Sequence, residues 1–274
     1  MRSARWRMSE AATTRLSRVR FRGRGFVIRG RWWGSLAAFA IIIALWQAAG
    51  SFGWVSPLFL PSPLAIVQAL IALTASGELV RHVAASAMRI GVGWALGTAA
   101  GLAVGLAMGL WGLARSIGIS VVSALFPIPK IALLPLLILW LGIGEPSKIA
   151  TIALGVFFPT VIATYSGVDA VPRTLIRMAQ SFDLPFAAIV RKIVIPAALP
   201  SILSGFRISA SIALLLVVSA EMIGADRGIG AFVLQAGNLM QTDQLLAGVV
   251  VLSIFGLIVA KVIGLLEARL LAWR

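Results

Sequence analysis

The sequence predicts an all-α membrane protein with about six transmembrane helices. Hydrophobic residues make up 60% of its 274 positions and charged residues only 12%, and the mean hydropathy of +1.00 is far above that of a water-soluble domain. Apolar runs close to the roughly 20 residues needed to cross hydrocarbon recur six times. Basic residues gather on alternate connections, as they do on the cytoplasmic side of a membrane.

The same composition excludes several function classes. With no cysteine there is no disulfide framework and no thiol chemistry, and one histidine, His82, cannot build a metal cluster, so no metal site is expected. The net charge of +15 suggests nucleic acid at first sight, but ten of the 24 basic residues lie between Arg2 and Arg31. No folded basic face with interleaved aromatics accompanies them. Residues 1–33 are therefore read as a basic cytoplasmic tail that orients the first span and touches anionic lipid, with no nucleic-acid partner. Residues 34–274 form the membrane domain.

The first span covers about Ser35–Phe52. Ala48, Ala49 and Gly50 would also suit a signal-peptide cleavage site, but the basic segment ahead is about 31 residues long, more than a signal's charged start needs. Pro57, Pro61 and Pro63 then lead into an interrupted apolar stretch ending near Leu79, read as an interfacial helix. The second span, about Arg89–Leu110, carries Gly93, Gly97, Gly101, Gly105 and Gly109, a four-residue repeat that predicts a close-packing seam along one helix face. In the third, about Ile117–Leu141, Pro127, Pro129 and Pro135 predict a kink or break. The remaining spans are expected at about Ile149–Val168, Ile202–Met222 and Leu245–Leu266.

With the N-terminus inside, six crossings put 19 of the 24 basic residues on the cytoplasmic side together with the C-terminus. Arg81, Arg89, Lys148 and Arg227 fall on the other side, and Lys130 lies within the third span. The longest inner connection, about 169–199, holds Arg173, Arg177, Asp183, Arg191 and Lys192. Pro172 opens a helix there, and Leu175, Met178, Phe182, Phe186 and Ile189 recur at near-helical spacing, with a break at Asp183-Leu184-Pro185. An apolar stripe of this kind must be covered, either by a soluble partner or by the membrane face of the chain itself.

The stretch RMAQSFDLPFAAIVRKIVIPAALPSILSGFR, from Arg177 to Arg207, resembles the signature loop of ABC importer permeases. There Glu-Ala-Ala-x-x-x-Gly is followed, after nine residues, by Ile-x-x-Pro. Arg177 stands at the Glu, Met178 and Ala179 at the two Ala, Asp183 at the Gly, and Ile193 and Pro196 at the Ile and Pro. The spacing is kept, while the Glu, the first Ala and the Gly are replaced. Asp tolerates the positive φ that Gly supplies at such a turn, and Arg177 calls for an acidic or neutral groove on the partner. Phe126–Ala150 and Ala220–Gly230 are similar to the sulfonate, taurine and nitrate branch of these permeases. The resemblance implies a type I ABC importer permease fold in the bacterial inner membrane and a homodimer of permeases. It also implies an ATPase subunit docked on the loop and an extracytoplasmic substrate-binding protein. The cargo would be a small anion such as a sulfonate, taurine or nitrate, with a vitamin precursor or other small metabolite as the alternative.

Two residues are candidates for the substrate pathway. Lys130, deep in the third span, would suit an anion, or else it snorkels from the PxPK turn toward headgroups. Glu221, at the end of the fifth span, either gates the outer mouth or pairs with Arg227, beside Gly224, Gly228 and Gly230, which read as a flexible loop or re-entrant turn. No G-x-x-x-x-G-K-[ST] occurs, so ATP is expected on the partner subunit and no cofactor on this chain. No catalytic constellation is present, and no enzymatic activity is expected. A stand-alone secondary transporter is the rival reading. Against it, the glycine seam has no counterpart in the second half and deep acids are lacking.

Overall fold

The computed structural model describes residues 32–272, so the basic tail up to residue 31 lies outside the described residues. Among these the regular structure is entirely helical. The helices are α1 (Trp32–Ser51), α2 (Pro63–Ala75), α3 (Glu78–Leu110), α4 (Gly112–Leu125), α5 (Leu134–Leu141), α6 (Glu145–Asp169), α7 (Arg173–Ser181), α8 (Phe186–Ile189), α9 (Ile195–Met222), α10 (Ile229–Asn238) and α11 (Thr242–Leu270). Among the described residues five helical stretches are long and apolar enough to cross a membrane, and the bent α4–α5 pair makes a sixth. Residues 32–45, the first part of α1, fall in a separate unit from the helical bundle, which runs from Trp46 onward.

The predicted interfacial helix is α2. Pro63 sits in its first turn, where a missing N–H costs nothing, and the Ser62 hydroxyl accepts from the Ala65 N–H at 3.3 Å. Its buried Ile66, Ala69 and Leu73 pack on Leu79, Phe232 and Ala247 of α3, α10 and α11.

At the centre of the bundle lie α3, α6 and α9. The glycine seam faces α6 along its whole length: a Cβ on Gly101 would lie 2.8 Å from both the Phe157 carbonyl and the Thr160 Cβ, and one on Gly105 2.6 Å from the Thr164 Cβ. Lipid offers no hydrophobic drive for helices to associate, so this close backbone approach supplies the attraction through packing. On its other side α6 meets α9, where Gly167 lies against Ala198 and Ser201. Ile90, Ile152, Val156, Ala213 and Val217 fill the core between the three helices, and the Trp94 indole N–H donates to Ser209 Oγ at 3.0 Å.

The third span is broken more sharply than a kink, with α4 and α5 meeting at 85°. Pro127 and Pro129 lie in the break. Pro135 instead falls within the first two positions of α5 and disturbs nothing. Most spans outrun their apolar windows: α3 starts eleven residues before Arg89, the predicted first residue of its span, and α6 starts at Glu145. Arg89 and Lys148, read from sequence as charges of outer connections, are thereby carried inside helices and buried.

Candidate functional site

At one end of α3 the predicted amphipathic pair forms, as α7 and α8, joined to α9 by a single π-helical turn, Val190–Val194. Ala179 and Ile189 are buried with Val168, Val171, Val194, Ala198 and Ile202, and Ile176, Ile193 and Leu106 pack against them. The connection is therefore seated on the ends of α3, α6 and α9. The break falls at Asp183, whose φ is +51°. Its N–H donates to the Gln180 carbonyl (3.0 Å) and the Leu184 N–H to the Ala179 carbonyl (3.2 Å), the paired bonds of a Schellman helix ending with Asp183 in the left-handed position.

The site residues read from this loop separate into two sets. Arg173, Arg177, Met178 and Asp183 are exposed, whereas Ala179 is buried and Ile193 and Pro196 are half-buried. Along the predicted stripe only Ile189 is covered. Leu175, Met178, Phe182 and Phe186 stay open, Phe182 to 74%. Ion pairs Arg115–Asp169 (2.8 Å) and Arg207–Glu267 tie α4 to α6 and α9 to α11.

At the other end of α3, 17 residues and roughly 25 Å of helix from Leu106 to Arg89, a polar cluster joins four helices. Arg89 Nε and Nη2 donate to the two oxygens of Glu145, at 2.6 and 2.5 Å. Its Nη1 donates to Glu221 Oε1 at 2.7 Å and to the Arg227 carbonyl at 2.6 Å. Glu221 also receives the Ser86 hydroxyl (2.7 Å) and the Gly230 N–H (2.9 Å). The Ile229 N–H donates to Ser86 Oγ (2.9 Å), and the Gly228 N–H to His82 Nδ1 (3.1 Å).

Glu221 thus pairs with Arg89 and not with Arg227, which contributes only its carbonyl. Glu221 is among the most buried side chains described, enclosed by neighbouring helices at the end of α9. Gly228 and Gly230 are not a loose loop: they are buried and wrap this carboxylate at the start of α10. Gly228 has φ +134°, and a Cβ there would fall on the Glu221 carboxyl group.

Lys130 begins a short 3₁₀ turn after the proline break. Its ammonium donates to the carbonyls of Leu125 (2.9 Å), Phe126 (3.1 Å) and Ile128 (2.6 Å) and stands 4.4 Å from the centre of the Phe158 ring. It caps the carbonyls that the break leaves open.

Sequence reasoning missed Arg89, Ser86 and Glu145. A signal was present: His82, Ser86, Gly93, Gly97 and Gly101 lie on one buried stripe of α3, so the polar residues continue the glycine seam and must find partners on the same neighbours.

Residues 97–272 match the family described as the binding-protein-dependent transport system inner membrane component. The chain belongs to this family. SsuC of Escherichia coli, assigned as an aliphatic sulfonates transport permease protein, is 42% identical over 85% of this chain and 88% of its own. SsuC of Bacillus subtilis is 37% identical over 89% and 88%, and the taurine transport system permease protein TauC of E. coli 35% identical over 87% and 89%. A chain of the MetNI methionine ABC transporter, in an inward-facing conformation, superposes with a TM-score of 0.60 and 23% identity, over 70% of this chain and 95% of that one. The fold is that of an ABC importer permease, and the protein is a multi-pass inner-membrane permease, from a family of transport proteins rather than of enzymes. Such a permease works with an ATPase and a substrate-binding protein.

Proposed function

We propose that this permease moves a small organic sulfonate, an alkanesulfonate or taurine, into the cytoplasm as one of two identical copies, with ATP hydrolysed entirely on the partner subunit. The α7–α8 connection, the N-terminus and the C-terminus face the cytoplasm in this reading, and the Arg89 cluster faces outward. The observation that carries it is the connection itself. Its inner face is fixed to three spans, while its outer face leaves Leu175, Met178, Phe182 and Phe186 exposed beside Arg177. A stripe this apolar, set on the basic side, fits a groove on a soluble partner. Push and pull on it pass directly to α3, α6 and α9. The sulfonate and taurine transport permeases among its relatives support the substrate class. Lys130 and Glu221 are assigned to holding helix ends, since their polar atoms are engaged within the chain.

The test uses proteoliposomes with the ATPase and binding protein. Arg177→Glu is expected to leave insertion intact and to cut sulfonate-dependent uptake about tenfold or more, the size set by one close charge pair at an interface. Uptake at the wild-type level would remove Arg177 from the contact. Uptake only of neutral solutes would move the substrate class away from sulfonates.

A further inference from the structure

The two carboxylates on Arg89 are held very differently. Glu221 has no exposed side-chain surface and two further donors, Ser86 and Gly230. The Glu145 side chain is 45% exposed, and its hydrogen bonds are those to Arg89. Arg89 is itself only 3% exposed and presents its Nε–Nη2 edge toward that half-open position. One turn further along α6, Lys148 is also buried, donates to the Gly144 carbonyl at 3.0 Å, and lies within electrostatic reach of Arg89 and Glu145. Arg89 and Lys148 are therefore two buried cations, with Glu221 and Glu145 on the guanidinium and Asp226 also within electrostatic reach of Lys148. When Glu145 swings out, the Nε and Nη2 donors of the buried Arg89 lose their acceptors beside the N-terminal end of α6, where free backbone N–H groups add positive potential.

We propose that the Nε–Nη2 edge of Arg89 is an anion-receiving site, filled by Glu145 in this conformation and taken over by the sulfonate of the transported solute when Glu145 leaves. The proposal rests on the sulfonate reading above. A guanidinium edge donates two parallel charge-assisted N–H bonds to an anionic group carrying two oxygens on one atom, so a sulfonate replaces a carboxylate without changing the buried charge. The exchange frees the start of α6 from α3 and the α9–α10 turn only when an anion is at hand, which ties release of this end to cargo. A lipid phosphate has the same chemistry, and the test separates the two.

The full-length chain in phosphatidylcholine nanodiscs is unfolded thermally with ethanesulfonate or with the neutral dimethyl sulfone. Glu145→Gln should unfold a few degrees below wild type and recover with ethanesulfonate but not with the sulfone. Adding Arg89→Lys should abolish the recovery. No ethanesulfonate shift in Glu145→Gln, or a shift that survives Arg89→Lys, overturns the site. Recovery in phosphatidylglycerol discs without sulfonate assigns the edge to lipid and also overturns it. Because the chain has no cysteine, Glu145→Cys gives a second arm. Labelling with sulfonatoethyl methanethiosulfonate should restore the wild-type midpoint and the trimethylammonioethyl reagent should lower it, whereas equal effects of the two labels refute the exchange. Uptake of labelled taurine and of labelled ethanesulfonate by the wild-type importer tests the substrate reading separately. If neither taurine nor ethanesulfonate is taken up that reading fails, while the nanodisc shift still decides the anion site.

Discussion

Glu221 is the most constrained acid described, and its surroundings say why a charge is tolerated there. A buried carboxylate is stable only when paired and fully hydrogen-bonded, and Arg89, Ser86 and the Gly230 N–H meet that demand. Removing one partner leaves the other charged and alone. Glu221→Ala is therefore expected to cost about 3–5 kcal/mol of stability, read as a lowered unfolding midpoint in nanodiscs. Glu145→Ala should cost clearly less, because water reaches that carboxylate and compensates part of the loss. Equal losses would mean that Glu145 is as enclosed as Glu221 in the bilayer. None of this pairing is legible locally: Arg89 and Glu221 are 132 positions apart, and only the folded helices bring them together. The nearer residue, Arg227, is the partner that spacing suggests, yet it supplies a carbonyl.

The same contrast between local and distant information holds for whole elements. The four-residue glycine repeat on α3 predicts a seam without naming its partner, and the structure supplies α6. Gly101→Val should destabilise the bundle by about 1–3 kcal/mol, as overpacking does, while Gly91→Ala should be nearly neutral, since a Cβ there meets nothing within 4 Å. Unfolding midpoints of the two variants check this, and a large loss at Gly91 would contradict the observed face. At the end of α7 the turn was readable because its chemistry is local. Asp183 keeps a left-handed conformation that Gly adopts without strain and a β-branched residue resists. Asp183→Gly should preserve uptake, and Asp183→Val should reduce it through a misplaced α8. Indistinguishable uptake in the two variants would show that this turn does not set the contact. By contrast, the 85° bend at Pro127 and Pro129 was foreseen only as a kink or break, because the angle depends on what the two halves pack against.

On the scale of the molecule, α3, α6 and α9 run between two differently built ends. One presents the α7–α8 connection and the other the Arg89 cluster, with a glycine-tight interface between them. The two ends should be separable by mutation. Phe182→Asp, on the open stripe, is expected to abolish co-purification with the ATPase while leaving the unfolding midpoint unchanged, because that ring contributes little to the internal core. Glu145→Gln should leave co-purification intact. If Phe182→Asp lowers stability instead, the stripe is covered by the chain's own membrane face rather than by a partner.

By itself the sequence determined that this chain lives in a bilayer, that it crosses about six times, that its longest inner connection carries an amphipathic helix pair, and that α3 packs closely along one face. These properties follow from composition, periodicity and local turn chemistry, each a matter of residues within one or two helical turns of each other. The tertiary structure alone decided which helix fills the glycine groove, that α3 and α6 extend past their apolar windows, and that Arg89 gathers Glu145, Glu221 and the α9–α10 turn around a single guanidinium. Hydropathy treats a charge near the end of a span as exposed. Only packing shows that a neighbouring helix has already neutralised it.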